Sequence, residues 1–122
     1  MKHQYSFERL NVFQESRSFT KEIYMLVRVF PADEKFGLTS QIKRATISIV
    51  SNLAEGSSRN SPKEQIRFLE IAYGSALEVY SQLLLACDLE FISEDELDLF
   101  SIKIKSITNK LNALKNAIEK RV

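Results

Sequence analysis

Apolar residues in this chain return every three or four positions over long runs that only two prolines, Pro31 and Pro62, interrupt. That period lines one side of an α-helix, whereas a half-buried strand alternates every second residue. An all-α fold follows, with helices expected over about 12–30, 40–55, 62–89 and 94–120. In the first, Val12, Phe13, Phe19, Ile23, Leu26, Val27 and Phe30 form a broad stripe that Pro31 stops. Thr39 is the expected cap of the second, whose stripe is Ile42, Ala45, Thr46, Ile49, Val50 and Leu53. Gly56 suits the left-handed residue that ends it. Ser61, Pro62 and Glu64 supply cap, first-turn proline and capping-box acid for the third. That helix carries Ile66, Leu69, Tyr73, Ala76, Leu77, Tyr80, Leu83, Leu84 and Cys87. Ser93 and Glu96 make a second capping box, opening a heptad seam of Leu97, Phe100, Ile104, Ile107, Leu111, Leu114 and Ile118.

A heptad seam serves a coiled coil or an antiparallel bundle, and three other amphipathic helices in need of partners favour the bundle. The connections are only a few residues long, so successive helices are antiparallel neighbours. The expected architecture is one domain, 1–122, folded as an up-down-up-down four-helix bundle. A chain of 122 residues buries roughly two-thirds of its unfolded surface, enough for a core without cross-links. No apolar run is long enough to span a bilayer and no signal peptide is evident, so a cytoplasmic protein is expected.

Much chemistry is excluded by composition. With one cysteine, Cys87, and one histidine, His3, the chain lacks the ligands of a Cys/His zinc site and an imidazole held by packing for triad catalysis. Its three glycines, Gly37, Gly56 and Gly74, are too widely spaced for a phosphate-binding loop. The acids from Asp88 to Asp98 lack the glycine turn of a calcium loop, and no helical histidine is present for a di-iron site. No enzyme, metal or cofactor is expected. Cys87 reads as a small buried hydrophobe.

Charge is sorted along the chain although the net value is only +1. Residues 1–67 hold eleven Lys/Arg and seven Asp/Glu, 68–100 none and eight, and 101–122 six and one. Folded up and down, the first and third turns gather Asp33, Glu34, Asp88, Glu90, Glu94, Asp95, Glu96 and Asp98 at an acidic pole. The second turn and the termini gather Lys2, Arg9, Arg59, Lys63, Arg67, Lys115, Lys120 and Arg121 at a basic pole, despite Glu8, Glu55, Glu64 and Glu119. Two readings stand side by side: complementarity to helix dipoles, or a basic surface for phosphate with opposite poles that steer subunits or partners.

A polar stripe runs along the second helix through Gln41, Arg44, Ser48, Asn52 and Glu55. With a turn near Ser58, Arg44 faces the stretch from Gly74 to Glu78, and Glu55 faces Lys63 or Arg67. Pairing of Arg44 with Glu78 is expected, as is a close backbone approach at Gly74, beside Ser75. The stripe suits a structural hydrogen-bond network, a subunit interface or a ligand site. Phe13, Phe19, Phe30, Phe36, Phe68, Phe91 and Phe100 read as core or interface anchors rather than platforms for bases.

Phe30-Pro31, Glu34, Phe36-Gly37-Leu38, Gln41-Ile42, Arg44-Ala45, Ser48-Ile49 and Asn52-Leu53-Ala54-Glu55-Gly56 form a run with a familiar pattern. It continues through Arg59, Glu64, Phe68-Leu69, Ala72, Gly74-Ser75 and Glu78, and it resembles the four-helix bundle proteins encoded by 23S rRNA intervening sequences. The resemblance covers about residues 7–87, and the fourth helix matches only in character. Phe13 stands where the family usually has tryptophan, Phe36 where tyrosine is common and Lys43 where arginine is common. The resemblance implies a left-handed bundle that assembles into a ring, a homopentamer, like the bacterial accessory protein of diversity-generating retroelements, which is similar in fold and works with a reverse transcriptase and nucleic acid. It carries over no catalytic residues. The leading expectation is a non-catalytic, ring-forming accessory of a nucleoprotein complex that binds structured RNA or DNA through Arg9, Arg44, Arg59, Lys63, Arg67, Lys115 and Lys120. Its alternative is a scaffold that docks a partner protein through the acidic pole or the stripe on the second helix.

Overall fold

A computed structural model of the chain describes residues 5–121, so Lys2 and His3 lie outside the described residues. Four helices dominate: α1 (Asn11–Leu26), α2 (Leu38–Ser57), α3 (Pro62–Asp88) and α4 (Glu94–Glu119), with short 3-10 turns at Ser6–Arg9, Val27–Val29 and Ala32–Glu34. Among the described residues there is no strand. Each helix packs on two neighbours, α1 on α2 and α4, α3 on α2 and α4, which is the arrangement of a four-helix bundle. Cross-links between α1 and α4 run in opposite senses along the two helices: Glu22 meets Lys103 at 2.8 Å, and Glu15 meets Lys110. Between α2 and α3, Ser48 meets Ser75 at 2.8 Å.

The core comprises the stripes expected from the periodicity, with Phe19, Ile23, Ile42, Ile49, Leu53, Leu83, Ile107 and Leu111 fully enclosed. The α2–α3 contact is the most extensive in the bundle. Its closeness follows from small side chains, since α3 buries Ala72, Ser75, Ala76 and Ala86 and α2 buries Ala45 and Gly56.

Several local expectations need correction. The first helix ends at Leu26 and tightens into a 3-10 turn at Val27–Val29, before Pro31 is reached. Thr39 does not cap α2, which begins one residue earlier; the Glu34 carboxylate instead accepts from the Leu38 N–H at 3.0 Å. Gly56 is helical, not left-handed, and no glycine among the described residues has positive φ. Its lack of a side chain serves packing: a Cβ there would lie 2.9 Å from Cβ of Phe68. At Gly74 the close approach is absent, since a Cβ at that position would meet no neighbouring atom within 4 Å. The α3 capping box is half formed. Ser61 accepts from the Glu64 N–H at 3.1 Å, but the Glu64 carboxylate turns to Arg67. The α4 box closes both ways, at 2.9 and 3.1 Å.

Leu77 and Leu84, expected in the core, are 48% and 38% exposed. The buried stripe of α3 runs through Leu69, Ala72, Ala76, Val79 and Leu83, and a further residue turns the side chain by about 100°, out of the interface. Phe36 is 88% exposed rather than an anchor, because the connection before α2 holds it away from every helix. Only Lys35 covers it, its Nζ 5.5 Å from the ring centre.

Candidate nucleic-acid interface

The two ends of the bundle differ in charge as the folding pattern requires. At one end the Phe30 and Phe91 rings meet, 5.4 Å apart, joining the first and third connections. Asp33, Asp88, Glu90, Glu94, Asp95, Glu96 and Asp98 are all exposed around them. At the other end a cavity of about 250 Å³ is lined by Phe7 and Leu10, by Leu53 and Gly56 of α2, by Gln65 and Leu69 of α3, and by Leu114, Ile118 and Arg121. The second connection and both ends of the described chain therefore surround one opening.

Arg9, Arg59, Lys63, Arg67 and Lys120 are exposed around this second end. Arg59 is the best organised. Its N–H donates to the Gly56 carbonyl at 3.2 Å, and its own carbonyl accepts from Gln65 Nε2 at 2.9 Å. Its guanidinium carbon sits 4.9 Å from the Phe68 ring centre. Arg67 stacks on the same ring at 4.7 Å while its Nε donates to Glu64 at 3.1 Å. Phe68, which is only 7% exposed, thus owes much of its burial to two cations and to the gap at Gly56. A stacked guanidinium keeps its in-plane N–H groups free for a forked contact with a phosphate. Among the described residues Arg9, Arg59, Lys63 and Lys120 form no ion pair, whereas Lys115 reaches Glu70 at 3.4 Å. The geometry brings Arg9, Arg59, Lys63, Arg67 and Lys120 to one end, leaves Lys115 engaged on the α3–α4 flank, and sets Arg44 apart near the start of α2. The sequence marks Phe68 as an anchor, but its role as a cation platform emerges only from the structure. Arginines nine and one residues before a phenylalanine were the available signal.

The stripe on α2 divides into two parts. Ser48 and Asn52 turn inward, where Ser48 Oγ meets Ser75 Oγ at 2.8 Å and Asn52 Nδ2 donates to the Ser48 carbonyl and hydroxyl at 2.8 and 3.0 Å. Gln41, Arg44 and Glu55 are exposed. Arg44 does not pair with Glu78, nor Glu55 with Lys63 or Arg67. The register differs from that of a turn centred near Ser58, since Ser75 rather than residue 70 stands opposite Ser48, and Arg44, Glu55 and Glu78 all stay exposed instead of meeting across the contact. Glu78 instead makes a long 3.5 Å contact with Gln82 Nε2. The side-chain carbonyl of Gln82 is buried without a hydrogen-bond partner.

Cys87 is half-buried at the acidic end rather than enclosed. Burial, and then the nearby charges of Glu94, Asp88 and Asp98, push its thiol above the ordinary cysteine value. The thiolate is the reactive form. Cys87 in the folded protein should therefore react with a disulfide reagent at pH 8 more slowly than in the unfolded chain, as measured by thiolate release. No group of three or more His, Cys, Asp or Glu able to hold a metal occurs among the described residues, and no helix there is long and apolar enough to cross a membrane.

The family model for the 23S rRNA-intervening sequence protein matches residues 8–113, which takes in all of α1, α2 and α3 and most of α4. The chain belongs to the 23S rRNA-intervening sequence protein family. A similar solved structure is the crystal structure of a protein of unknown function from the S23 ribosomal protein family of Bacteroides thetaiotaomicron VPI-5482. It is 25% identical, with a TM-score of 0.79, and the match covers 86% of this chain and 95% of that one. No curated protein matches the chain. In this 23S rRNA-intervening sequence protein, the run from Phe30 to Glu78 builds most of the α2–α3 hairpin, and the cation end lies at the tip of that hairpin.

Proposed function

We propose that the protein is a non-catalytic, ring-forming helical bundle that binds structured RNA or DNA through its basic end, as an accessory to a nucleoprotein complex. The observation that carries this reading is the group of Arg9, Arg59, Lys63 and Lys120, exposed at one end without an acidic partner among the described residues. A cluster of unpaired surface cations suits a polyanion, since each phosphate neutralised releases a counterion. The contacts expected there are to backbone rather than bases, since Phe68, 7% exposed and stacked by two guanidiniums, is no platform for a base.

The test is a titration of a fluorescent RNA hairpin and a DNA duplex at several salt concentrations. Binding at ~50 mM salt that weakens steeply by ~200 mM, with little dependence on base sequence, is the expected result. Absence of binding to either at ~50 mM salt would remove the nucleic-acid reading, and capture of a nuclease-resistant protein complex through the acidic end would favour a protein scaffold instead.

A further inference from the structure

From Ile71 to the residue after its last turn, the outward side of α3 is largely apolar. Ile71, Leu77, Leu84, Leu85 and Leu89 are 39%, 48%, 38%, 52% and 56% exposed. Leu77 and Leu84, seven residues apart, form one ridge; Ile71 and Leu85, at twice that spacing, form another. Gly74 and Ser81 lie between them, also exposed, and Gly74 has open space above it. Isolated exposed leucines are ordinary, but four large apolar side chains on the outward side of one helix, continued by Leu89 just after it, mark a contact surface. Lys63 and Arg67 stand on this face near the start of α3, but from Ile71 onward its charges are all negative. Segment 68–100 has no lysine or arginine, and Glu78 and Asp88 are exposed there without an ion pair among the described residues.

A matching surface lies on the opposite flank of the same molecule. Between α1 and α2 a groove of about 440 Å³ has Tyr24, Ile47 and Val50 for its floor, with Arg17 and Lys21 on its rim. Ile47 is 44% exposed, and Lys43 Nζ stacks 4.8 Å from the Tyr24 ring centre. Arg17 and Lys21 have no ion pair among the described residues, and Arg44 stands unpaired on α2. An apolar, acidic ridge thus has as its complement an apolar groove with a cationic rim.

We infer that the outer face of α3 docks into the α1–α2 groove of a second copy of this chain. The contact rests on the assembly part of the function proposed above and names its two faces. Charge and shape together favour the unlike pair: the Ile71–Leu89 ridge carries only acids and the groove rim only cations, so ridge in groove is attractive, whereas two such ridges or two grooves would oppose like charges. Because the faces differ, the contact is heterologous, and each copy that offers one face leaves the other open for the next.

Light scattering after size exclusion, applied to the full chain, tests this with one variant per face. Leu85→Lys places a cation opposite the cationic rim, and Ile47→Glu places an acid opposite the acidic ridge. Both positions are substantially solvated in the single chain, so the helical circular dichroism should be unchanged; Leu77→Lys and Tyr24→Glu stand in if either variant fails to fold. Each variant alone is expected at the mass of one chain. An equimolar mixture is expected to recover an assembly containing both, because the Leu85→Lys protein keeps an intact groove and the Ile47→Glu protein an intact ridge. If the wild type assembles and either variant assembles equally well, these faces are wrong while the ring reading stands. A wild type that stays monomeric at every concentration sinks both.

Discussion

Replacing Phe19 with alanine should lower the unfolding free energy by about 4 kcal/mol, in the range found when a large enclosed ring is removed. Phe19 is 1% exposed and meets Phe100 of α4 edge to face, with ring centres 5.9 Å apart. On the solvent side, α1 and α4 are also joined by ion pairs of exposed or half-exposed groups, Glu22 with Lys103 and Glu15 with Lys110. Such pairs contribute little, roughly 0–1 kcal/mol each, so they do not compensate for the lost ring. Urea unfolding, monitored by circular dichroism at one fixed protein concentration, is the appropriate measurement, because it keeps the comparison independent of any self-association. A loss below about 1 kcal/mol would mean that α1 packs elsewhere than on α4.

Gly56→Val should cost about 3 kcal/mol, the upper part of the range for overpacking. The contact that a side chain would make is with Cβ of Phe68, 2.9 Å away, an atom fixed to the α3 backbone and unable to swing aside. Relief requires the ends of α2 and α3 to part, which loosens the Phe68 ring and the two arginines stacked on it. Gly56→Ala is expected to cost less, since alanine's better helix propensity returns up to about 1 kcal/mol of the strain. The comparison separates packing from helix propensity: if propensity ruled at this position, both substitutions would stabilise.

The helical stripes were legible because burial in a bundle follows a period that sequence displays directly. That is why the heptad seam of α4 and the stripe of α1 needed no revision beyond a tightened last turn. What sequence did not show was register. The polar stripe on α2 was visible, but its partners depended on where the α2–α3 turn centres and on which side chains turn inward: Ser48 meets Ser75, while Arg44 and Glu78 both stay exposed. Glycine was ambiguous for a related reason. Gly56 and Gly74 look alike in sequence, yet one admits a neighbouring helix and the other faces open space. Leu77 and Leu84 misled because an outward apolar face has the same composition as a core face. At the basic end, the cations were countable in advance, while the Phe68 ring that orients Arg59 and Arg67 takes its place only when the hairpin tip is assembled.

Cations at the hairpin tip, rather than the charge of the molecule as a whole, are proposed to engage nucleic acid, and their position is what a charge-matched comparison isolates. Affinity for an RNA hairpin at ~50 mM salt should be compared between two double variants of equal net charge, Arg59→Glu with Lys63→Glu, and Lys35→Glu with Lys105→Glu. All four positions are exposed, and only the first pair lies at the basic end. A loss of at least about tenfold is expected for the first pair and a change within about threefold for the second. Equal losses from both pairs would contradict a binding site at the tip.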